Sequence, residues 1–185
     1  MESFVYTILA ILARDSGSSF EIAKKMDLCW QTKHNQIYPI LVELEERDLI
    51  FCTTIPQSGK PDKKVFSITE QGKEALAKWV PNVFQEPIIR DGFLAKIYAQ
   101  WLLDPDTMVQ LLEERMQFFQ HKIGEHESEI AQLEADAGAS LKDPSSPHFG
   151  RYILLMRKLQ MEQDESDWCA WALAFYQKEP IIQYE

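Results

Sequence analysis

Cysteine is scarce in this chain. Cys29, Cys52 and Cys169 are the three in 185 residues, an odd and scattered set with no Cys-x-x-Cys and no basis for a disulfide framework. A reducing, cytoplasmic location is the expectation, and packing rather than redox chemistry is the expected role of Cys29 and Cys52. No apolar run reaches membrane-spanning length, so no membrane partner is expected. The apolar stretch from Phe4 to Ala13 lacks a basic leader and a small-residue cleavage site, and reads as a first core helix rather than a signal peptide. Catalytic motifs are missing too: there is no Gly-x-Ser-x-Gly, no Walker A loop, no Gly-x-Gly-x-x-Gly after a strand and no His-Glu-x-x-His. Histidine is rare (His34, His121, His126 and His148), and none stands beside a Ser or Cys with a third partner in view. His121 and His126 lie five apart, a poor spacing for a shared metal on one helix face. An enzyme is therefore disfavoured, and no cofactor or metal is expected.

Positive charge is in deficit as well, with 19 Lys and Arg against 29 Asp and Glu, a net of −10. The deficit is uneven. Residues 1–80 carry 10 basic and 11 acidic side chains, a net of −1, and residues 81–185 carry 9 and 18, a net of −9. Within the first part Lys24, Lys25 and Lys33 stand against Asp27, and Lys60, Lys63 and Lys64 against Asp62. Local charge decides where a polyanion docks, so these two basic segments keep nucleic acid open as a partner.

What is present is mainly helical pattern. A helix over about Glu2–Arg14 ends at Asp-Ser-Gly-Ser-Ser, where Ser18 or Ser19 can cap a second helix over about Phe20–Met26 with Glu21 in its first turn. Thr32 can cap a third, about Lys33–Arg47, in which Pro39 predicts either a kink or a later start. The segment from Leu49 to Thr69 reads as a hairpin with a basic, turn-rich tip, and Thr69 caps a fourth helix carrying Ala75, Leu76 and Trp79 on one side. Pro81 and Pro87 bracket a joint. Beyond it the pattern gives a helix at about Asp91–Leu102, a cap at Asp104-Pro105, a long helix over about Asp106–Ala137, a loop at 138–147 and a last long helix over about His148–Lys178. The domains expected are 1–80, a linker 81–90, and a helical part 91–185.

Three helices and a hairpin in this order form a winged helix-turn-helix. The third helix has a polar head, Lys33-His34-Asn35-Gln36, and an apolar tail of Ile37, Ile40, Leu41 and Leu44. That division fits a helix whose head enters a DNA major groove while its tail packs on helices 1 and 2. Asn35 and Gln36 can each offer a donor–acceptor pair to adenine, Lys33 can donate to guanine, and Tyr38 can reach a phosphate. Lys60, Lys63 and Lys64 on the wing would meet phosphates beside the groove. Capping preferences alone also place polar residues in a first turn, and three lysines in a turn also occur as a solvated loop. A helical adaptor whose winged helix binds protein is the alternative, and it would not need the wing lysines.

In the long helix Val109, Leu112, Met116, Phe119, Ile123, His126, Ile130, Leu133 and Ala137 recur at alternating spacings of 3 and 4. This is a heptad seam that must pair with the last helix or with a second chain. His126 is its one polar member and fits a hydrogen-bonded core histidine better than a pH switch. Trp168, Trp171, Ala172 and Phe175 share one face of the last helix, as a dimer groove or ligand pocket would need. Ordinary core packing accounts for that stripe more economically, and the same holds for Trp79 and Trp101.

The run Ile37-Tyr38-Pro39-x-Leu41-x-x-Leu44-Glu45 up to Leu49-Ile50, followed by Lys64 to Ile68-Thr69-x-x-Gly72 and Trp79, resembles the PadR family of bacterial transcriptional regulators. Residues 91–185 are similar in length and layout to the C-terminal domain of its longer, virulence-activator-like members. The resemblance covers roughly residues 4–178. It implies a mainly α protein, a winged helix-turn-helix followed by an all-helical dimerisation domain. It implies a homodimeric repressor that binds double-stranded DNA, of a family whose members can respond to small aromatic molecules; an effector near the domain joint would alter the separation of the two winged domains. Ser19, at the helix 2 entrance, joins the DNA-facing set, and Val109, Leu112, Met116, Phe119, Ile123, Ile130, Leu133, Trp168, Trp171 and Phe175 become the dimerisation set. Two departures fall on the reading surface: the family often has Gly-Tyr where Ser19-Phe20 stands, and Gly or Ser where Asn35 stands. The operator sequence therefore does not carry over.

Overall fold

The computed structural model describes residues 2–30, 34–57, 59, 62–82, 87 and 90–177, with the side chains of Glu2 and His34 left out. The expected cap Thr32 and the tail after Lys178 lie outside the described residues. The chain forms two compact units, Met1–Gln85 and Glu86–Glu185.

In the first unit α1 is Glu2–Arg14, α2 Ser19–Met26, α3 Ile37–Glu46 and α4 Glu70–Trp79, with β1 (Ile50–Ile55) and β2 (Lys63–Ile68) between α3 and α4. Ser18 starts α2 with a reciprocal cap: its Oγ accepts from Glu21 N–H at 3.4 Å, and Glu21 Oε2 accepts from Ser18 N–H at 2.7 Å. The proline question resolves in favour of a later start. His34–Gln36 form one 3-10 turn, α3 begins at Ile37, and Pro39 falls in its first turn, where its missing N–H breaks no helical bond. Asp48 ends α3 in the left-handed region (φ 56°), with Leu49 N–H donating to Leu44 O and Asp48 N–H to Glu45 O, both at 3.0 Å.

β1 and β2 pair antiparallel with Ile50 opposite Ile68 and Thr54 opposite Lys64. Gly17 extends the sheet beside Phe66 through two backbone hydrogen bonds of 2.9 and 3.0 Å, a pairing no local pattern in the sequence announces. Thr69 caps α4, accepting from Gly72 N–H at 3.0 Å while its hydroxyl donates to Asp48 O at 2.7 Å. Gly72 lies so close to the strand entrance that a Cβ there would meet Leu49 O at 2.1 Å. The core joins Ile8, Leu9, Ile22, Met26, Ile37, Leu41 and Leu44 to Ile50 and Phe66, all apolar. Tyr6 stacks on Trp79 at 4.8 Å along its border. Cys29 is exposed, so the packing role expected for it is not what the fold gives it.

The second unit contains α5 (Gly92–Tyr98), α6 (Pro105–Ala137) and α7 (Phe149–Gln177). Asp91 caps α5, and Asp104 caps α6 with Pro105 in the first position. At 33 residues α6 runs about 50 Å. The pairs Arg115–Glu165, His126–Glu162 and Arg151–Glu129 run in opposite chain directions, so α6 and α7 pack antiparallel. Part of the stretch expected as a loop, Gly138–Lys142, is a 3-10 turn that buries Leu141, an apolar residue the turn-former pattern around it concealed. Among the described residues no helix is long and apolar enough to cross a membrane.

Candidate nucleic-acid interface

Helix α3 has two sides. Ile37, Leu41 and Leu44 are fully buried, and their neighbours Tyr38, Pro39 and Val42 are exposed. Preceding them, Asn35 and Gln36 are exposed in the 3-10 turn that also contains His34. A head of amide side chains in solvent on a helix anchored by its other face is the geometry a base reader needs. Ser19 is the first residue of α2 and partly buried, while the capping hydroxyl is that of Ser18. Lys33 and Lys60 lie outside the described residues.

The two wing lysines at the start of β2 point to different helices, as successive strand residues do. Lys64 Nζ donates to the Tyr38 hydroxyl at 3.3 Å and lies 5.8 Å from the centre of its ring. That hydrogen bond raises the Lys64 ammonium above its ordinary value. Lys64 and Tyr38 thus form one exposed donor patch beside the α3 head. Lys63 instead donates to Glu21 Oε1 at 2.9 Å. The Glu21 carboxyl is held down to about 2, chiefly by the Ser18 backbone N–H, then by Lys63 and the Ser18 hydroxyl. Glu21 shows in the sequence as a first-turn acid, but its partnership with Lys63, 42 residues away, has no local signature.

Of the expected dimerisation set, Leu112, Ile130 and Leu133 are buried within the single chain, and Val109, Met116, Phe119 and Ile123 are partly covered. The inward face of α7 differs from the aromatic stripe. Leu155, Glu162, Ser166, Cys169 and Leu173 point in, while Trp168 and Trp171 are partly covered and Phe175 is 51% exposed. Trp101, expected in a core, is 74% exposed. The heptad spacing of α6 therefore serves packing inside the chain along part of its length, and the large aromatics flank it.

Two polar clusters lie in this unit: His126 is the hydrogen-bonded core histidine expected from its seam position, while its partner Glu162 and the Arg115 cluster have no motif in the sequence. His126 Nδ1 lies 2.8 Å from Glu162 Oε2 and 2.9 Å from Lys122 O, with both side chains buried. Arg115, with only 12% of its side chain exposed, meets Asp91 and Glu165 at 2.6 Å each and lies over the rings of Phe93 and Phe119 at 4.5 and 5.0 Å. Arg115 holds the Asp91 carboxyl below its usual range. Next to it burial pushes the Cys169 thiol up to about 11, which leaves it an unreactive packing group. A charge pattern read along one helix could flag Arg115 as an interior residue only if the opposite acids were already known.

Residues 8–78 match the model of the transcriptional regulator PadR-like family, and residues 89–177 match the virulence activator alpha C-terminal model. The negative transcriptional regulator PadR of Bacillus subtilis is 29% identical over 97% of this chain and all of its own length. The crystal structure of that protein in complex with operator DNA superimposes with a TM-score of 0.79 at 27% identity, covering 95% of this chain and 98% of the other. Its complex with p-coumaric acid gives a TM-score of 0.69 at 25% identity, with 94% of each chain covered. With both halves matched in order, and with the motif residues in the elements that form its winged helix, the chain carries a domain of the transcriptional regulator PadR-like family followed by a virulence activator alpha C-terminal domain.

Proposed function

We propose that this protein is a homodimeric repressor that binds a two-fold DNA operator through its winged helices. The observation that carries the reading is the exposed face formed by Asn35, Gln36, Tyr38 and Lys64 on a helix whose other side is sealed into an apolar core. Asn35 and Gln36 read base edges, Lys33 and His34, which precede them in sequence, complete the reading set, and Lys64 with Tyr38 contacts phosphate. Residues 1–80 form the DNA-reading domain, 81–90 the linker and 91–185 the dimerisation domain. Pairing of two copies through the C-terminal helices sets the two α3 heads about 34 Å apart or a multiple of it. The exposed Phe175, Trp101 and Tyr98 supply apolar surface for that pairing. A small aromatic acid, of the class held by the Bacillus subtilis relative, shifts the separation of the two winged helices and releases the DNA.

The test is a gel shift with DNA from upstream of the protein's own gene, at low and high salt, with random-sequence competitor. Competitor-resistant binding that weakens with salt is expected. Asn35→Ala or Gln36→Ala should lower specific binding about ten- to a hundredfold and random-sequence binding far less. Equal losses on both would remove the base-reading role. Absence of binding at low salt would favour a protein-binding adaptor.

A further inference from the structure

We infer that Glu21 is a built-in competitor for the DNA phosphates: it neutralises Lys63 and makes that lysine a strut positioning the wing, leaving Lys64 as the phosphate contact of the pair. The inference rests on the DNA-binding reading above and refines it. Lys63 and Lys64 are consecutive on β2, yet they are tied to the two different helices of the helix-turn-helix, Lys63 to Glu21 of α2 and Lys64 to Tyr38 of α3. The two ties are not equivalent. Tyr38 is a neutral hydroxyl and does not neutralise Lys64, on which the nearby acid Glu45 exerts only the weakest of the pulls. Glu21 is an anion, and its carboxylate cannot swing aside to release Lys63. Oε2 is held by the Ser18 N–H at 2.7 Å and the Ser18 hydroxyl at 2.8 Å, while Oε1 holds Lys63 at 2.9 Å. A phosphate that captured Lys63 would strand this fixed carboxylate beside the DNA backbone, where like charges repel. The pair therefore persists on DNA, and Lys63 releases no counterion. It joins the foot of the wing to the start of α2 and so fixes where Lys64 stands.

Salt dependence separates the two roles, because each phosphate neutralised adds roughly 0.9 to the log–log slope of affinity against salt. The experiment measures that slope for the full chain on a random-sequence duplex. It compares wild type, Lys64→Met, Lys63→Met, Glu21→Gln and the double variant Glu21→Gln/Lys63→Met. Gln is a standard partner in this type of cap, so Glu21→Gln removes the charge and keeps the helix start. Lys64→Met should flatten the slope by roughly 0.9 per protomer. Glu21→Gln should free Lys63 for phosphate, steepening the slope by a similar amount and tightening random binding. The double variant should return to the wild-type slope, since the pair leaves as a neutral unit. A double variant as flat as Lys64→Met, or a Glu21→Gln slope equal to wild type, would overturn the proposal. If wild type binds no DNA at any salt, the repressor reading fails instead. The strut is then judged on the free protein, where the Tm shifts of Glu21→Gln and Lys63→Met should be non-additive in the double variant; additive shifts would sink it.

Discussion

Every buried polar side chain among the described residues, His126, Glu162 and Ser166, lies in the second unit. The first unit buries only apolar side chains and keeps its ion pairs at the surface, Lys63–Glu21 and Lys25–Asp15 among them. In the first unit apolar packing sets the shape, and polar groups are free to serve an outside partner. In the second, polar pairs lie between α6 and α7, where a slip of one turn would separate Arg115 from Glu165 and His126 from Glu162. A heptad seam of Leu and Ile alone tolerates such slips, and buried polar pairs penalise them. The two halves thus obtain a single structure by different means.

The largest test of that contrast uses one glycine from each unit. Gly72→Ala places a methyl 2.1 Å from Leu49 O, a backbone atom that cannot move without displacing the strand. A loss of about 3 kcal/mol is expected, at the high end for overpacking. Gly124→Ala in α6 meets nothing within 4 Å and should gain about 0.5–1 kcal/mol from helix propensity. Urea unfolding of the two variants measures both. Equal effects would mean that the tight α4–strand approach contributes nothing of its own.

Arg115 comes next. Arg115→Met retains the contact with Phe93 and Phe119 but leaves Asp91 and Glu165 facing each other. Both acids retain some solvent exposure, so a loss of about 2 kcal/mol is expected, below the range for a fully buried pair. The loss should fall on the second unit alone. Trp168 and Trp171 fluorescence should therefore change, and hydrogen exchange in residues 4–79 should not.

The His126–Glu162 pair tests the register argument directly. Glu162→Ala alone should cost about 2 kcal/mol, because it opens a cavity and removes the His126 partner. Replacing both residues together by Leu should be neutral or stabilising by about 1 kcal/mol, as buried pairs often are when exchanged for apolar groups. If the polar pair fixes register, the double Leu variant keeps its stability and loses uniqueness, seen as extra or broadened amide signals for α6 and α7. A sharp single set of signals would show that register is set elsewhere.

How much of this was legible beforehand follows from the range of each interaction. Helices α1, α2, α4, α6 and α7 and the wing follow from local periodicity and caps, within about two residues. The late start of α3 was one of two options that Pro39 allowed. The exposed head Asn35-Gln36 followed from the apolar stripe behind it, since one face of a helix fixes the other. What stayed hidden was set by partners distant in sequence: the bridge of Gly17 to Phe66, the tie of Lys63 to Glu21, and the Arg115 cluster. The aromatic face of α7 misled for a related reason. Helical spacing identifies residues sharing a face, and two faces of α7 are apolar, one closing on α6 through Cys169 and Leu173 and one carrying Phe175.

The smallest effect concerns acid. Among the described residues the carboxyl held low in the first unit is Glu21, while the second unit has Asp91, Asp104, Glu125 and Asp143. A carboxyl whose folded value is depressed favours the folded state above its unfolded value and loses that contribution as pH falls through the folded one. For Glu21 the window runs from its ordinary 4.5 down to about 2. The urea midpoint of the first unit should therefore fall between these limits, and Glu21→Gln should flatten that fall by lowering the midpoint at pH 7 toward its acid value. Because Glu21 and Lys63 are both more than a third exposed, added salt should shrink the Lys63 share of the effect and spare the Ser18 hydrogen bonds. Acid loss in the second unit should persist in the Glu21→Gln protein, since its four low carboxyls are untouched. If Glu21→Gln flattened the acid response of both units alike, the two would not be unfolding independently, and the contrast between an apolar first core and a polar second seam would have to be argued for the whole chain at once.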